Sequence, residues 1–375
     1  MELLLLCEYA TLNGGEQSML STLDYVARAG FSIRVLAPPS GPLADALRQR
    51  QIEVEPFSVR DLSGAALPRP QVRETLAALL GRRRVDLLHA NSLAMGRLAG
   101  PVAAELGLRS VAHLRDIVRI SRQAIDDLNR HTRLLAVSQA TRDYHVAAGL
   151  CGAKTHVLYN GVDLARFAPR PPTGDLHREL GLPPDALLVG AIGQIGLRKG
   201  HDVLVEAAIR LAARLPHAHY LIVGGRFSDK DESRAFEQHL HAAADGPLRG
   251  RLHFLSVRND VPGILNELTL LVHPARQEPL GRVLLEAAAS GVAVIATDVG
   301  GTREIFPPSS HCARLVGPDD TAGLAEALIE LLGDAPLRAS LAASARRRAE
   351  AAFDIRIAAA GLVEQYREVV ADFGF

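Results

Sequence analysis

Short apolar runs alternate with amphipathic stretches along almost the whole chain. In the first half, apolar segments at residues 2–8, 32–37, 52–57, 85–90, 110–114, 134–137 and 156–159 read as strands. Between them the apolar spacing turns helical at 17–29, 42–51, 70–81 and 93–106. Strands that are apolar on both faces and separated by helices predict a parallel sheet covered on both sides. The proline-rich segment 168–174 breaks the pattern and reads as an extended linker.

The alternation then resumes, with strand runs at 187–192, 219–223, 252–255, 269–273, 292–297 and 314–316. Helical stretches fall at 201–215, 280–289 and 321–332, and two more, 336–351 and 355–372, close the pattern. The expected fold class is α/β: two doubly wound, Rossmann-like domains. In such domains the ligand crevice lies at the carboxyl ends of the strands, so two of them are expected to face each other across a cleft. The expected division is 1–165, 166–352, and a final helix at 353–375.

Composition narrows the partners. Lys+Arg and Asp+Glu are 42 each, a balance that argues against a nucleic-acid binder. Although 48% of residues are hydrophobic, no run approaches the ~18 apolar residues of a membrane span. The apolar start, residues 1–6, is too short for a signal-peptide core and has no basic residue before it. Cys7, Cys151 and Cys312 are too scattered for a disulfide framework or a zinc site, which fits a reducing compartment. The expected location is cytoplasmic. Among all the cations only Lys154, Lys199 and Lys230 are lysine, so a lysine in a glycine-rich loop carries more information here than an arginine does.

That lysine is Lys199, in Gly193-Gln194-Ile195-Gly196-Leu197-Arg198-Lys199-Gly200, between a predicted strand and a predicted helix. Glycines let backbone approach a ligand, and a helix N-terminus with two cations beside it attracts a pyrophosphate. A plain turn with exposed cations reads equally well. Downstream, Glu278 and Glu286 bracket Pro279-Leu280-Gly281-Arg282 at an expected helix start, with Pro279 as the first helical residue. An ionised carboxylate accepts hydrogen bonds from paired hydroxyls, as a sugar or a ribose presents them. The alternative is a helix carrying two solvated glutamates.

At these residues the chain resembles glycosyltransferase family 4, retaining enzymes of the two-domain GT-B fold. Glu278 through Glu286 is similar to the family's E-x7-E motif. Asn13-Gly14-Gly15-Glu16 resembles its N-terminal glycine loop, and Asn160-Gly161-Val162-Asp163 its entry to the second domain. Arg198-Lys199-Gly200 resembles its basic pair, and Asp298-Val299-Gly300-Gly301-Thr302-Arg303-Glu304 its later glycine loop.

The resemblance implies metal-independent, cofactor-free transfer of a hexose-type sugar from UDP or GDP, with retention at the anomeric carbon. By position, Glu286 would hold the ribose, and Arg198 and Lys199 the departing diphosphate. Glu278 would touch the donor sugar, the N–H groups of Leu280 and Gly281 the sugar or distal phosphate, and Gly14 and Gly15 the diphosphate. The base would lie over residues 224–227 and near 256–258, around Val257, more by backbone contacts than by side chains. The final helix would return to the first domain. The family's usual histidine before an aspartate is replaced here by Arg115 in His113-Leu114-Arg115-Asp116.

On a strand, His113 and Arg115 share a face. His113 would then help position the reacting sugar or the acceptor; alternatively it is bonded within the sheet rim. His89, Asn91 and Arg115 are the acceptor candidates, with Asn91 or Ser92 equally readable as a helix N-cap.

The resemblance suggests a glycan or lipid-linked acceptor in cell-envelope polysaccharide or glycoconjugate synthesis. The arginines at 115, 119, 122, 130 and 133 would allow peripheral contact with the cytoplasmic face of the inner membrane. Two other classes remain open: a nucleotide-sugar 2-epimerase of related fold, and a degenerate scaffold that only binds nucleotide sugars.

Overall fold

A computed structural model describes residues 1–61 and 63–371. The chain forms two compact units, one comprising Met1–Gly161 together with the chain from Ile355 onward, the other Val162–Asp354.

The first unit holds seven strands: β1 (Glu2–Leu6), β2 (Ser32–Ala37), β3 (Glu53–Pro56), β4 (Leu87–Ala90), β5 (Ser110–Leu114), β6 (Arg133–Ala136) and β7 (Thr155–Val157). They pair in parallel in the order β3-β2-β1-β4-β5-β6-β7. The run Leu3-Leu4-Leu5-Leu6 shows why β1 has no polar face. Leu4 and Leu6 pack with Leu76, Leu98 and Val102 on one side of the sheet, while Leu3 and Leu5 pack with Met19, Leu23 and Leu362 on the other. Successive side chains point to opposite faces, and helices cover both.

The last helix, Ile355–Ala371, packs on the first unit, burying Leu362, Val363, Tyr366 and Val369 beside the helix Gly14–Arg28. Gly161 lies so close to this helix that a Cβ there would come within 2.6 Å of Ile355 Cα. Residues 372–375 of the expected final helix lie outside the described residues.

The second unit repeats the plan with β8 (Leu187–Ile192), β9 (Ala218–Val223), β10 (Leu252–Leu255), β11 (Leu270–His273), β12 (Val294–Thr297) and β13 (Arg314–Val316). The order is β10-β9-β8-β11-β12-β13, again all parallel. In each sheet the strand order reverses once, between β1 and β4 and between β8 and β11. The loops leaving those strands diverge there and open a crevice at their carboxyl ends. No helix among the described residues is long and apolar enough to cross a membrane.

Two sequence expectations are corrected. Segment 168–174 is no free linker, because it is pinned to the second unit. The N–H groups of Thr173 and Gly174 both donate to Glu267 Oε1, at 2.6 and 2.9 Å, and that of Arg170 donates to Asn266 Oδ1 at 2.9 Å. A buried carboxylate needs donors, and this extended backbone supplies them. The expected cut after residue 165 therefore lies inside the second unit. The second correction concerns the helix after β11, which begins at Arg282 rather than at Pro279. Gly281 sits at φ +103°, a left-handed conformation that ends the preceding loop and that L-residues rarely adopt.

Candidate functional site

The crevice of the second unit is built by the loops that follow β8 and β11. Lys199, on the first loop, donates to Glu278 Oε2 on the second at 2.6 Å. His273, the last residue of β11, has Nε2 at 2.8 Å from the same oxygen. Glu278 is buried, which by itself opposes a charged carboxylate, but the Lys199 ammonium and the His273 contact outweigh this and hold it well below the usual carboxylate range. Burial, reinforced by the Lys199 charge, keeps His273 neutral by lowering its pKa. His201 behaves likewise, lowered to about 3 by burial and then by His273 and Lys199.

Backbone geometry fixes the two loops against each other. Gly200 adopts φ +65° with its α-carbon against the Pro274 carbonyl; a Cβ would fall 1.9 Å from that oxygen. Arg276 ties the same loops together. Its side chain grips Asp202 through two bonds at 2.9 and 2.6 Å and donates to the Leu197 carbonyl at 2.7 Å, while its N–H donates to the Arg198 carbonyl at 2.9 Å. Arg198 is exposed, with one side-chain bond to the Gln277 carbonyl at 3.2 Å. A third loop closes in where Gly301 N–H donates to the Glu278 carbonyl at 3.0 Å, with the Pro279 oxygen so near that a Cβ on Gly301 would lie 2.4 Å away.

Leu280 and Gly281 are buried, and among the described residues neither N–H has an acceptor. Glu286 stands in the helix Arg282–Ala289, half-buried, its Oε1 taking a 2.7 Å bond from Arg282. At the ends of β9 and β10 the glycines 224 and 225 are followed by exposed Phe227 and exposed Val257, whose Cγ2 approaches Gly225. The crevice therefore offers two cations, a buried ionised carboxylate, free N–H groups and an apolar rim.

In the first unit, the expected residues gather around Arg115. His113 and Arg115 share one face of the β5 end, as alternation requires, and Arg115 lies over Gly15, leaving room for no side chain larger than hydrogen without adjustment. Arg115 donates through Nε to the Asn91 carbonyl, through Nη2 to Asn91 Oδ1 and through Nη1 to Asn160 Oδ1, each at 3.0 Å. Its Nη2 also lies 3.2 Å from His113 Nδ1. Gly14 opens the helix Gly14–Arg28 and is exposed. Asn91 is buried, with no partner for its Nδ2 among the described residues, and Ser92 is the cap of the following helix, accepting from the Met95 N–H at 3.2 Å. His89 is turned inward, with both ring nitrogens on internal partners, Tyr366 and His113. His113 is buried, and its Nε2 has no partner among the described residues.

The arginines expected to form one basic surface are dispersed. Arg115 points inward, Arg133 pairs with Glu368 of the last helix, and Arg119, Arg122 and Arg130 are exposed. His273, Arg276 and Tyr366 were absent from the sequence reading. The one available signal was for His273, a polar residue closing an apolar strand five positions before Glu278.

Residues 12–166 match the family model described as Glycosyltransferase Family 4, and residues 183–334 the model described as Glycosyl transferases group 1. Among curated proteins, the phosphatidyl-myo-inositol mannosyltransferase of Mycolicibacterium smegmatis is 31% identical over 98% of this chain and 94% of its own length. The lipopolysaccharide core biosynthesis mannosyltransferase LpsB of Rhizobium meliloti is 31% identical over 57% of this chain, an alignment spanning 61% of that protein. Among solved structures, HepE of Anabaena in complex with UDP and glucose superposes with a TM-score of 0.84 at 25% identity, covering 97% of this chain and 99% of that one.

Proposed function

This chain belongs to glycosyltransferase family 4, and from that premise we propose that it transfers a hexose-type sugar from UDP or GDP to a glycan or lipid-linked acceptor in envelope glycoconjugate synthesis. The observation that carries this reading is the Lys199–Glu278 pair at the β8/β11 crossover, which puts a cation and an ionised carboxylate side by side. Support comes from relatives named as mannosyltransferases and from a fold shared with a protein crystallised with UDP and glucose.

In this reading the acceptor hydroxyl oxygen replaces the diphosphate oxygen at the anomeric carbon, with configuration retained, and its proton leaves with the departing diphosphate. Negative charge builds on the departing diphosphate. Lys199 and exposed Arg198 meet that charge, and preorganised charges of this kind usually contribute the largest catalytic term. They take the role a divalent ion fills elsewhere, so no metal is required. An ammonium has three donors, and the bond to Glu278 leaves two for phosphate oxygens. Glu278, kept ionised, accepts from the donor sugar's hydroxyls, and Glu286 from the ribose. The N–H groups of Leu280 and Gly281 take the sugar or distal phosphate, and the base rests on Val257. On the first unit, His113, Asn91 and Arg115, with Gly14 and Gly15, belong to the substrate contacts. His89 acts through His113. The exposed arginines 119, 122 and 130 are the candidates for a peripheral contact with anionic lipid.

The test is release of nucleoside diphosphate from UDP-glucose and GDP-mannose, with phosphatidylinositol and with glycan acceptors, in EDTA. Acceptor-dependent release with an α-linked product supports the proposal. Donor conversion that needs no acceptor, or release abolished by EDTA, contradicts it.

A further inference from the structure

Beneath Arg115 lies a buried polar chain that sugar transfer does not by itself require. Tyr366, on the last helix and almost wholly buried, has its hydroxyl against His89 Nδ1, a contact between residues 277 positions apart. His89 Nε2 lies 3.3 Å from His113 Nδ1, and Arg115 Nη2 lies 3.2 Å from that same Nδ1.

The direction of every proton in this chain follows from the arginine. A guanidinium only donates, so His113 Nδ1 must accept, and the His113 proton sits on Nε2. His89 Nε2 faces the same acceptor and must carry the His89 proton. His89 Nδ1 is then an acceptor, and among the described residues only the Tyr366 hydroxyl is placed to donate to it. Both imidazoles must be neutral, since a protonated His113 would set an N–H against the Arg115 N–H. Burial first, and then the Arg115 charge, lowers both, His89 to about 3.

We infer that Tyr366 is a positioning residue: its hydroxyl satisfies the His89 Nδ1 that the arginine leaves as a buried acceptor, and so locks His89 and His113 in the tautomers that seat the guanidinium of Arg115. The inference rests on the reading of Arg115 as a substrate-contacting group. With Tyr366 replaced by Phe, His89 Nδ1 loses its donor and the proton can move to that nitrogen. Nε2 then becomes an acceptor facing an acceptor, and His113 escapes only by moving its own proton to Nδ1. That places two donors head to head at Arg115, and the guanidinium loses the His113 acceptor while keeping those of Asn91 and Asn160, so it is held less firmly.

The experiment is two-bond 1H–15N correlation on the full chain labelled at histidine, with His89→Asn and His113→Asn used to assign signals, and with arginine Nε–H exchange read alongside. The wild-type protein should show both residues as single Nε2–H tautomers with acceptor-type Nδ1, and a protected Arg115 Nε–H. Tyr366→Phe should mix the His89 tautomers and raise Arg115 Nε–H exchange about tenfold or more. Nδ1–H on His89 in the wild type overturns the inference without any variant having to fold. So does a Tyr366→Phe protein with wild-type tautomers and exchange. Arg115→Lys tests the underlying reading separately: if it retains full nucleotide release from UDP-glucose and GDP-mannose, Arg115 is not a substrate group, whatever the histidines show.

Discussion

Lys199 and Glu278 are 79 residues apart in sequence and 2.6 Å apart in space, and His273 holds the same carboxylate oxygen at 2.8 Å. The ammonium is thus stored against a buried carboxylate, beside exposed Arg198. Removing either partner leaves the other charge inside the crevice.

Lys199→Ala should lower turnover far more than it weakens binding of free uridine or guanosine. Loss of one group aimed at developing charge costs roughly 10²–10³-fold in kcat, whereas a nucleoside carries no diphosphate for the lysine to meet. Steady-state kinetics beside calorimetric nucleoside titration makes the comparison. Equal losses in both would make Lys199 a binding contact only.

Glu278→Gln separates the two halves of the donor. Without the carboxylate, UDP or GDP alone should bind at least as tightly, because a negative neighbour of the diphosphate is gone. Preference for the nucleotide sugar over the bare diphosphate should fall. The folded state should also lose stability, toward the lower end of the ~3–5 kcal/mol seen when a buried pair loses one partner, since glutamine keeps a hydrogen-bonding oxygen. Urea unfolding and paired titrations measure both effects, and unchanged sugar preference would remove Glu278 from sugar recognition.

Gly200→Ala should destabilise the protein by at least ~2 kcal/mol, combining left-handed strain with overlap on the Pro274 carbonyl. Backbone, not a flexible side chain, stands in the way, so relaxation must move the Lys199 loop. Chemical denaturation and nucleotide titration should show both losses together; a variant with wild-type stability would contradict this close approach.

Buried histidines, His89, His131 and His201 foremost among them, set the acid limit of stability. Burial is the main cause of lowering in each: His89 and His201 fall to about 3, and His131 to about 4. An unfolded histidine titrates near 6.5, so between that pH and the folded values the unfolded chain binds more protons. Their contribution is complete above about pH 6.5 and is lost as pH falls below it, at up to ~1.4 kcal/mol per pH unit for each histidine. Melting temperatures at fixed ionic strength should decline from pH 6.5 toward 4.5, and a flat profile over that range would contradict neutral burial of these side chains.

The layer architecture was legible because parallel strands covered on both faces leave an unbroken apolar run, of which Leu3 to Leu6 is the plainest case. The candidate loops were legible for a local reason, since glycines, a rare lysine and two glutamates stand at predicted strand ends. What failed to show depended on contacts distant in sequence. Proline density made 168–174 look like a linker, but side chains distant in sequence, Glu267 and Asn266, pin it. Pro279 was a reasonable first helical residue until Gly281 took φ +103°. Arg276 resembles any other arginine of an arginine-rich chain, and Tyr366 acquires its meaning only when the last helix folds back on β4 and β5.

The central claim is that the second unit binds a nucleoside diphosphate with its own cations. A thermal-shift panel of UDP, GDP, ADP and dTDP, then their sugar conjugates, each with and without EDTA, tests it most directly, because a ligand bound only by the folded state raises its stability. UDP or GDP, and its sugar conjugate, should raise the melting temperature equally in EDTA and in its absence. No shift with any nucleotide, or a shift that EDTA abolishes, would contradict it.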